Sequence, residues 1–487
     1  MSELYMQEHP QLTVLVAGDF MIDQYLYSTV SRVSPEAPVP IAKVQRTERR
    51  IGGAGNVALN ILALGSRVKI VTCIGTDTPA EELLCRLRCS GADTTCIYQD
   101  KKRQTSLKTR IVAQNQQLLR YDEEEIVPAD ETFWAYLQEN ADAVFSGVHG
   151  VVLSDYGKGI LTPEIAQFMI QQAKKRGIPV LVDPKGNDYS KYTGATICTP
   201  NLKELTEVSG QSVLRTEEEI RCAALELCGH AELEYVLATR SEKGMSLISR
   251  KLRTKQDFPA VVQEVCDVTG AGDTVISVMA VCMSAGESMD RCCRLSNMAA
   301  SVVVAKFGAA TANVGEINAA ILAEKQRAQI PQKVLNTEKL AEQVRQLQSG
   351  GKKVVFTNGC FDLVHAGHIA SFRQARSYGD VLVVAVNSDA SIKRLKGPAR
   401  PVVDLANRIK LLEALEMVDY VIPFEEDTPL EIIEAIRPDI LVKGKDWEGK
   451  EVAGMDILKS YGGQVVFVDL EQGLSTTAIV EKIRSNY

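Results

Sequence analysis

The sequence predicts an α/β protein of two domains, and three observations carry that prediction. Short apolar runs end in glycine-bearing turns and alternate with amphipathic stretches, the rhythm of parallel βαβ units. The rhythm lapses over residues 321–353 and then resumes. The length of 487 residues exceeds one ordinary domain and suits two or three.

In chain order, Leu12–Ala17 reads as a buried strand ending at Gly18-Asp19. Gly52-Gly53-Ala54-Gly55-Asn56 opens a helix over Val57–Leu64, which Gly65 stops. Arg67–Ile74, Val151–Ser154, Pro179–Asp183 and Tyr235–Thr239 read as further strands, and the stretch from Arg103 to Arg120 alternates like strands of a small lid. Asn336 or Thr337 can cap a charged helix through Gln348 that Gly350-Gly351 ends. Beyond it, Val354–Phe356, Leu382–Val386, Tyr420–Ile422, Ile440–Val442 and Val465–Val468 fit a second set of strands. The expected division is a first domain over 1–325, a linker with its helix over 326–351, and a second domain over 352–487. The two halves do not read as repeats of each other.

Composition excludes several classes. Hydrophobic residues make up 45% of the chain, enough for sizeable cores, and the net charge of -7 comes without a basic tail, which argues against general nucleic-acid binding. No apolar run approaches the roughly 18–20 residues of a membrane span. The first eleven residues carry no apolar signal core, so a cytoplasmic protein is expected. Twelve cysteines form no Cys-x-x-Cys pair and most sit in apolar segments, where reduced thiols act as small hydrophobes.

Two motifs carry chemistry. In Asp267-Val-Thr-Gly-Ala-Gly-Asp273, Gly270, Ala271 and Gly272 stand at a loop-to-helix junction, where backbone N–H groups and the positive helix end favour a phosphate. Asp273, in the first turn, then suits a general base taking a proton from an alcohol that attacks a γ-phosphoryl group. Taken alone, most Gly-x-Gly-Asp strings are turns. The setting adds Gly52, Gly53 and Asn56 at a second glycine-rich helix start, Asp19 and Asp23 after the first strand, and Asp183-Pro-Lys185 and Asn201-Leu202-Lys203-Glu204 after later ones. Ligands of open α/β sheets bind outside the carboxyl ends of the strands, so these residues could converge, although each aspartate could equally be a cap or turn residue.

The second motif runs Thr357-Asn358-Gly359-Cys360-Phe361-Asp362 and on to His365 and His368. Two imidazoles three apart near a helix start can hydrogen-bond a triphosphate and stabilise charge at the α-phosphorus. A zinc pair and a capping histidine are the alternatives; zinc would need a third ligand, for which Asp362 is the near candidate.

These residues resemble two families. The first segment, over roughly 11–320, is similar to the ribokinase (phosphofructokinase-B type) sugar kinases, on the early glycine pair, Asn201–Glu204 and the Asp267–Asp273 signature. The resemblance implies a ribokinase-like α/β/α domain with a small β lid over the sugar, Asp273 as base, Gly270–Gly272 as anion hole, and ATP contacts at Asn201–Glu204 and around Thr239–Gly244. It implies Mg²⁺ carried on the ATP phosphates rather than held by a dedicated ligand set, and admits a monovalent cation near the anion hole.

The second segment resembles the nucleotidylyltransferase superfamily, a Rossmann-like fold, on His-x-Gly-His after Asn-Gly-x-Phe-Asp, Asn387-Ser-Asp389, Lys396-Gly-x-x-Arg400-Pro401, Lys443-Gly444 and Ser475-Thr476-Thr477. Lys396 and Arg400 are implied as phosphate clamps, and Ser475–Thr477 as donors from a helix start. Two departures stand out: Ala406 where relatives often carry Glu, and Lys443-Gly-Lys445-Asp446 where they tend to read Lys-Gly-Gly-Asp.

The order of the two segments, with strings such as Ser31–Pro40, Asn115–Arg120, Leu153–Gly159 and Asp183–Gly186, resembles the bifunctional heptose kinase/adenylyltransferase family of Gram-negative bacteria. That resemblance implies phosphorylation of D-glycero-β-D-manno-heptose 7-phosphate at O1, then AMP transfer from ATP to heptose 1-phosphate. It also implies a separate phosphatase between the steps and a homodimer. A sugar 7-phosphate needs a cationic anchor, for which Lys108, Arg110, Lys158 and Lys185 are candidates; Asp19, Asp23, Gly52, Gly53 and Asn56 would grip the sugar.

Overall fold

The strand Thr13–Gly18 is buried along its length between two parallel neighbours, Arg67–Ile74 and Gly150–Ser154, which is why it reads as an unbroken apolar run. Its alternate residues feed two cores. Val14 and Val16 pack with the helices Ala54–Ala63, Ala271–Ser284 and Met289–Val304, while Leu15 and Ala17 pack with Glu131–Glu139, Pro163–Lys175 and Glu217–His230. The result is a sheet with helices on both faces. The computed structural model describes residues 4–114, 116–261, 265–306, 308–329 and 333–469.

The chain divides into two units, Met1–Arg327 and Ala328–Tyr487. In the first, nine strands run in the order Thr254–Phe258, Met245–Ser249, Tyr235–Thr239, Ile197–Cys198, Val180–Asp183, Gly150–Ser154, Thr13–Gly18, Arg67–Ile74, Asp93–Gln99. Seven are parallel; Met245–Ser249 and Thr254–Phe258 form an antiparallel edge that the sequence rhythm did not announce. A separate four-stranded sheet takes the order Pro40–Gly53, Phe20–Val33, Leu107–Ala113, Gln116–Glu123. The lid expected from Arg103 to Arg120 is therefore twice as large, because two long strands precede it. Val33, Val44, Leu118, Leu119 and Tyr121 of this sheet are exposed.

In the second unit five strands are all parallel, ordered Tyr420–Phe424, Val381–Asn387, Val354–Gly359, Ile440–Gly444, Gln464–Val468. The helix Thr337–Ser349, capped by Asn336, had been expected in a linker. It belongs instead to this unit's core, where Leu340 and Val344 are fully buried beside Val354 and Phe356. An amphipathic helix with a sheet face available buries its apolar stripe there rather than spanning solvent. All twelve cysteines are free; seven are buried, but Cys85, Cys89, Cys222 and Cys266 are exposed. Among the described residues, no helix is long and apolar enough to cross a membrane.

Candidate active sites

In the first unit a cavity of about 620 Å³ lies at the carboxyl ends of the central strands. Asp273 stands at one end, in the first turn of Ala271–Ser284. Gly270 caps that helix in a left-handed conformation (φ 80°), and a Cβ there would sit 2.8 Å from the Asn56 amide nitrogen, so only glycine allows the approach. Gly270, Ala271 and Gly272 all line the cavity. Asp267 holds their loop by accepting the N–H groups of Thr269 and Gly308.

Both oxygens of Asp273 are engaged. Asn56 Nδ2 donates to Oδ2 at 2.7 Å and the Tyr156 hydroxyl donates to Oδ1 at 2.8 Å. Burial pushes the carboxyl up to about 6; the two donors oppose that rise and the nearby Asp23 adds to it. Across the cavity, Asn201 and Glu204 form a reciprocal capping box on the helix Leu202–Val208. Asp183 is raised well above its ordinary range by burial, with Asp273 and Glu204 as the next causes. Thr239 and Gly244 line the same cavity beside an apolar wall of Val261, Val265, Val268 and Val304.

Several expected contacts lie elsewhere. Leu202 packs on the apolar core, and Lys203 is 85% exposed toward Glu207, so of Asn201–Glu204 only the outer two face the cavity. Asn56, expected on the sugar, donates its side-chain amide to Asp273. Asp19 is 2% exposed and accepts the N–H groups of Tyr156, Lys158 and Ile160, so it fixes a loop. Gly52 and Gly53 end the strand Pro40–Gly53, and a Cβ at Gly52 would meet the Asp23 carboxylate at 2.2 Å.

The four candidate phosphate anchors are all paired. Arg110 binds Asp23, Lys185 binds Glu204 at 3.1 Å, and Lys108 and Lys158 share Glu124. Lys185 is thereby placed beside Glu204 at the edge of the cavity. Tyr156 went unread in the sequence, although it lies within Leu153–Gly159; a tyrosine directly after a strand-end aspartate was the available signal.

In the second unit the strand Val354–Gly359 leads into a turn and then the helix Ala366–Arg376, with His365 as its N-cap. His365 and His368 stack with ring centroids 3.9 Å apart. The His365 backbone N–H donates to His368 Nδ1 at 3.4 Å, which leaves Nε2 to carry the proton of the neutral ring. Burial first, then His365 and Lys396, lowers His368 to about 4, so it is a neutral donor near pH 7.

Lys443 donates to the Asn358 side chain at 2.6 Å, and burial lowers its ammonium to about 8. The Thr357 hydroxyl donates to the Val442 carbonyl, and Gly359 lies under the Phe361 ring, which packs on Phe372 and His368.

Asp362 does not turn toward the histidines. Its 3% exposed carboxylate takes Arg400 at 2.6 Å and the N–H groups of Val402 and Val403. The zinc reading thus loses its near third ligand, and Arg400, expected as a phosphate clamp, rests one guanidinium nitrogen on Asp362. Arg408, fully buried, ties three segments together through the carbonyls of Cys360, Asn387 and Val403 and the Asp389 carboxylate. Ser475, Thr476 and Thr477 lie outside the described residues.

Comparison with known proteins agrees with this division into two sites. Residues 11–315 match the pfkB family of carbohydrate kinases, and residues 356–482 match the cytidylyltransferase-like family. The bifunctional protein HldE of Trichlorobacter lovleyi is 45% identical over 487 residues, covering 100% of this chain and 98% of that protein. The chain belongs to the HldE family of bifunctional proteins. HldE of Hahella chejuensis is 46% identical over 478 residues, covering 97% of each chain.

As an HldE family member, the chain is a sugar kinase joined to a nucleotidyltransferase. The kinase fold is shared with Escherichia coli phosphofructokinase-2 solved in complex with potassium (TM-score 0.55, 18% identity, covering 65% of this chain and 100% of that one). It is shared too with Arabidopsis thaliana ribokinase complexed with ribose and ATP (TM-score 0.52, 19% identity, covering 64% and 99%).

Proposed function

We propose that this chain makes ADP-D-glycero-β-D-manno-heptose for the lipopolysaccharide core. Its first unit phosphorylates D-glycero-β-D-manno-heptose 7-phosphate at O1, giving the 1,7-bisphosphate. A separate phosphatase removes the 7-phosphate. The second unit then joins heptose 1-phosphate to AMP from ATP and releases pyrophosphate. The observation that supports this most is the presence, in one chain matching HldE proteins end to end, of both the Asp273 cavity and the His365/His368 pair.

At the first site Asp273 takes the proton of the sugar O1 hydroxyl as that oxygen attacks the γ-phosphorus and ADP leaves. The N–H groups at Gly270–Gly272, at the positive end of the helix, meet the growing phosphoryl charge. Mg²⁺ arriving with ATP supplies charge neutralisation, and Asp183 and Glu204 are cavity carboxylates that would receive its water shell. A monovalent cation near the Asp267 loop is part of the same reading.

At the second site the sugar 1-phosphate attacks the α-phosphorus without a covalent enzyme intermediate. Neutral His368 donates from Nε2, while Lys443 and Lys396 counter the triphosphate charge. The exposed apolar residues of the four-stranded sheet support a homodimer formed through the lid, and the protein is read as cytoplasmic.

Product identification tests the proposal. The purified chain, given heptose 7-phosphate, ATP, Mg²⁺ and an added sugar-bisphosphate phosphatase, should yield ADP-heptose and pyrophosphate by mass spectrometry and ³¹P NMR. No consumption of the heptose phosphate would overturn it. Because the second unit matches a cytidylyltransferase-like family, a parallel reaction with CTP separates the nucleotides; preferential CDP-sugar formation would overturn the adenylyl assignment.

A further inference from the structure

We propose that Tyr156 is a positioning residue of the kinase site: its hydroxyl, with the Asn56 amide, holds the Asp273 carboxylate in the orientation and charge state in which it accepts the sugar proton. The proposal rests on reading Asp273 as the base.

The loop that carries Tyr156 is fixed by two buried carboxylates. Asp19 accepts the N–H groups of Tyr156 at 2.8 Å, Lys158 at 3.0 Å and Ile160 at 3.2 Å. Asp155, 4% exposed, accepts Gly157 N–H at 2.7 Å and is itself held by the Tyr192 hydroxyl at 2.7 Å and Lys191 Nζ at 2.6 Å. Every N–H from Tyr156 to Lys158 therefore has a carboxylate partner, and the tyrosine ring leaves from a rigid base.

Its hydroxyl ends on Asp273 Oδ1 at 2.8 Å, while Asn56 Nδ2 reaches Oδ2 at 2.7 Å. Asn56 is equally constrained, because it lies on the helix Ala54–Ala63 against Gly270. The two donors thus clamp the carboxylate from both sides. Each oxygen keeps a lone pair to accept the O–H of an incoming alcohol.

The direction of the Tyr156 bond is settled by charge. Burial raises the phenol well above its ordinary range, with Asp273 and Asp183 as the next causes, so the tyrosine stays protonated and can only donate to the carboxylate. Donors to the ionised form stabilise it, and here they work against burial and against Asp23. Without the phenol, the carboxyl would hold its proton to higher pH and lose one of its two orienting contacts.

The test is the pH profile of the kinase reaction in Tyr156→Phe, which keeps the ring and removes only the hydroxyl. The acid limb of kcat/KM should move up by about one unit, so that the variant is roughly tenfold more impaired below the limb than on the plateau. Tyr192→Phe, which removes a hydroxyl from the same loop scaffold without touching Asp273, should leave the limb in place. An unchanged limb in Tyr156→Phe, whatever its overall rate, overturns the proposal.

Should Tyr156→Phe prove too slow to profile, ¹³C NMR titration of the Asp273 carboxyl, assigned by its loss in Asp273→Asn, gives the same answer without turnover. An upward shift supports the proposal and no shift overturns it. Asp273→Asn also separates the two levels of the argument. A fully active Asp273→Asn kinase refutes the base itself, whereas an inactive one with an unmoved Tyr156→Phe limb refutes only the role of Tyr156.

Discussion

The two reactions of this chain should respond to pH in opposite directions, and the perturbation is simply a titration of the wild-type protein from pH 5 to pH 9. The kinase needs Asp273 ionised. With its carboxyl pushed to about 6 by burial, only about a tenth is ionised at pH 5, so kcat/KM should fall about tenfold there and level off above pH 7. The nucleotidyltransferase should not share that limb. His368 is already largely neutral throughout, because burial, with His365 and Lys396 as the next causes, holds it at about 4. Its loss lies at the alkaline end, where Lys443, lowered to about 8, is only about a tenth charged at pH 9.

The sugar 1-phosphate is itself the nucleophile of the second reaction, and phosphate monoesters titrate near pH ~6, so each profile is corrected for the separately measured ionisation of its own sugar phosphate before the two are compared. The assays are ADP release for the first reaction and pyrophosphate release for the second, each with the other sugar substrate withheld. ATP bound at Lys443 should hold its proton, moving the alkaline limb of kcat above that of kcat/KM. Superimposable profiles for the two activities would refute the assignment of these groups.

Two further outcomes follow from the paired charges. Lys158→Met removes one of the two ammonium groups that meet on Glu124, a carboxylate occupying the place an anion could take; the KM for a sugar 7-phosphate should rise roughly 10- to 100-fold, in line with a charge-assisted contact, while the KM for ATP stays unchanged, and equal rises in both would count against the anchor. Arg408→Met leaves the Cys360, Asn387 and Val403 carbonyls without their donor, which should destabilise the second unit by about 3 kcal/mol. Urea unfolding followed by Trp447 fluorescence in a Trp134→Phe background should show the loss, and an unchanged midpoint would contradict it.

The central strands were legible because burial on both faces writes them as apolar runs: Arg67–Ile74 and Tyr235–Thr239 have the same bounds in sequence and structure. Phe20–Val33 and Pro40–Gly53 were not legible. Only the half of each strand next to the core is buried, as at Phe20–Ile22 and Ile51–Gly53, and the outer halves are exposed, so stretches such as Arg46-Thr-Glu-Arg-Arg50 carry no core signal and read as loop. The glycine-rich helix starts and the histidine pair were found because local spacing encodes them. The clamp on Asp273 was not, since its partners Asn56 and Tyr156 stand 217 and 117 positions away and meet it only through sheet topology. Arg400 adds a contact that spacing does not encode: its motif position suggested a phosphate ligand, and the structure sets one nitrogen of its guanidinium on the Asp362 carboxylate, 38 positions away.

The central claim, two chemically independent sites in one chain, is tested most directly by one paired measurement. Asp273→Asn and His365→Ala are each assayed for sugar bisphosphate formation and for nucleotide-sugar formation from the sugar 1-phosphate. Asp273→Asn should lower the first by about 10²–10⁴ and leave the second intact, and His365→Ala should do the reverse. Loss of both activities from either single change, in a protein that remains folded, would contradict it.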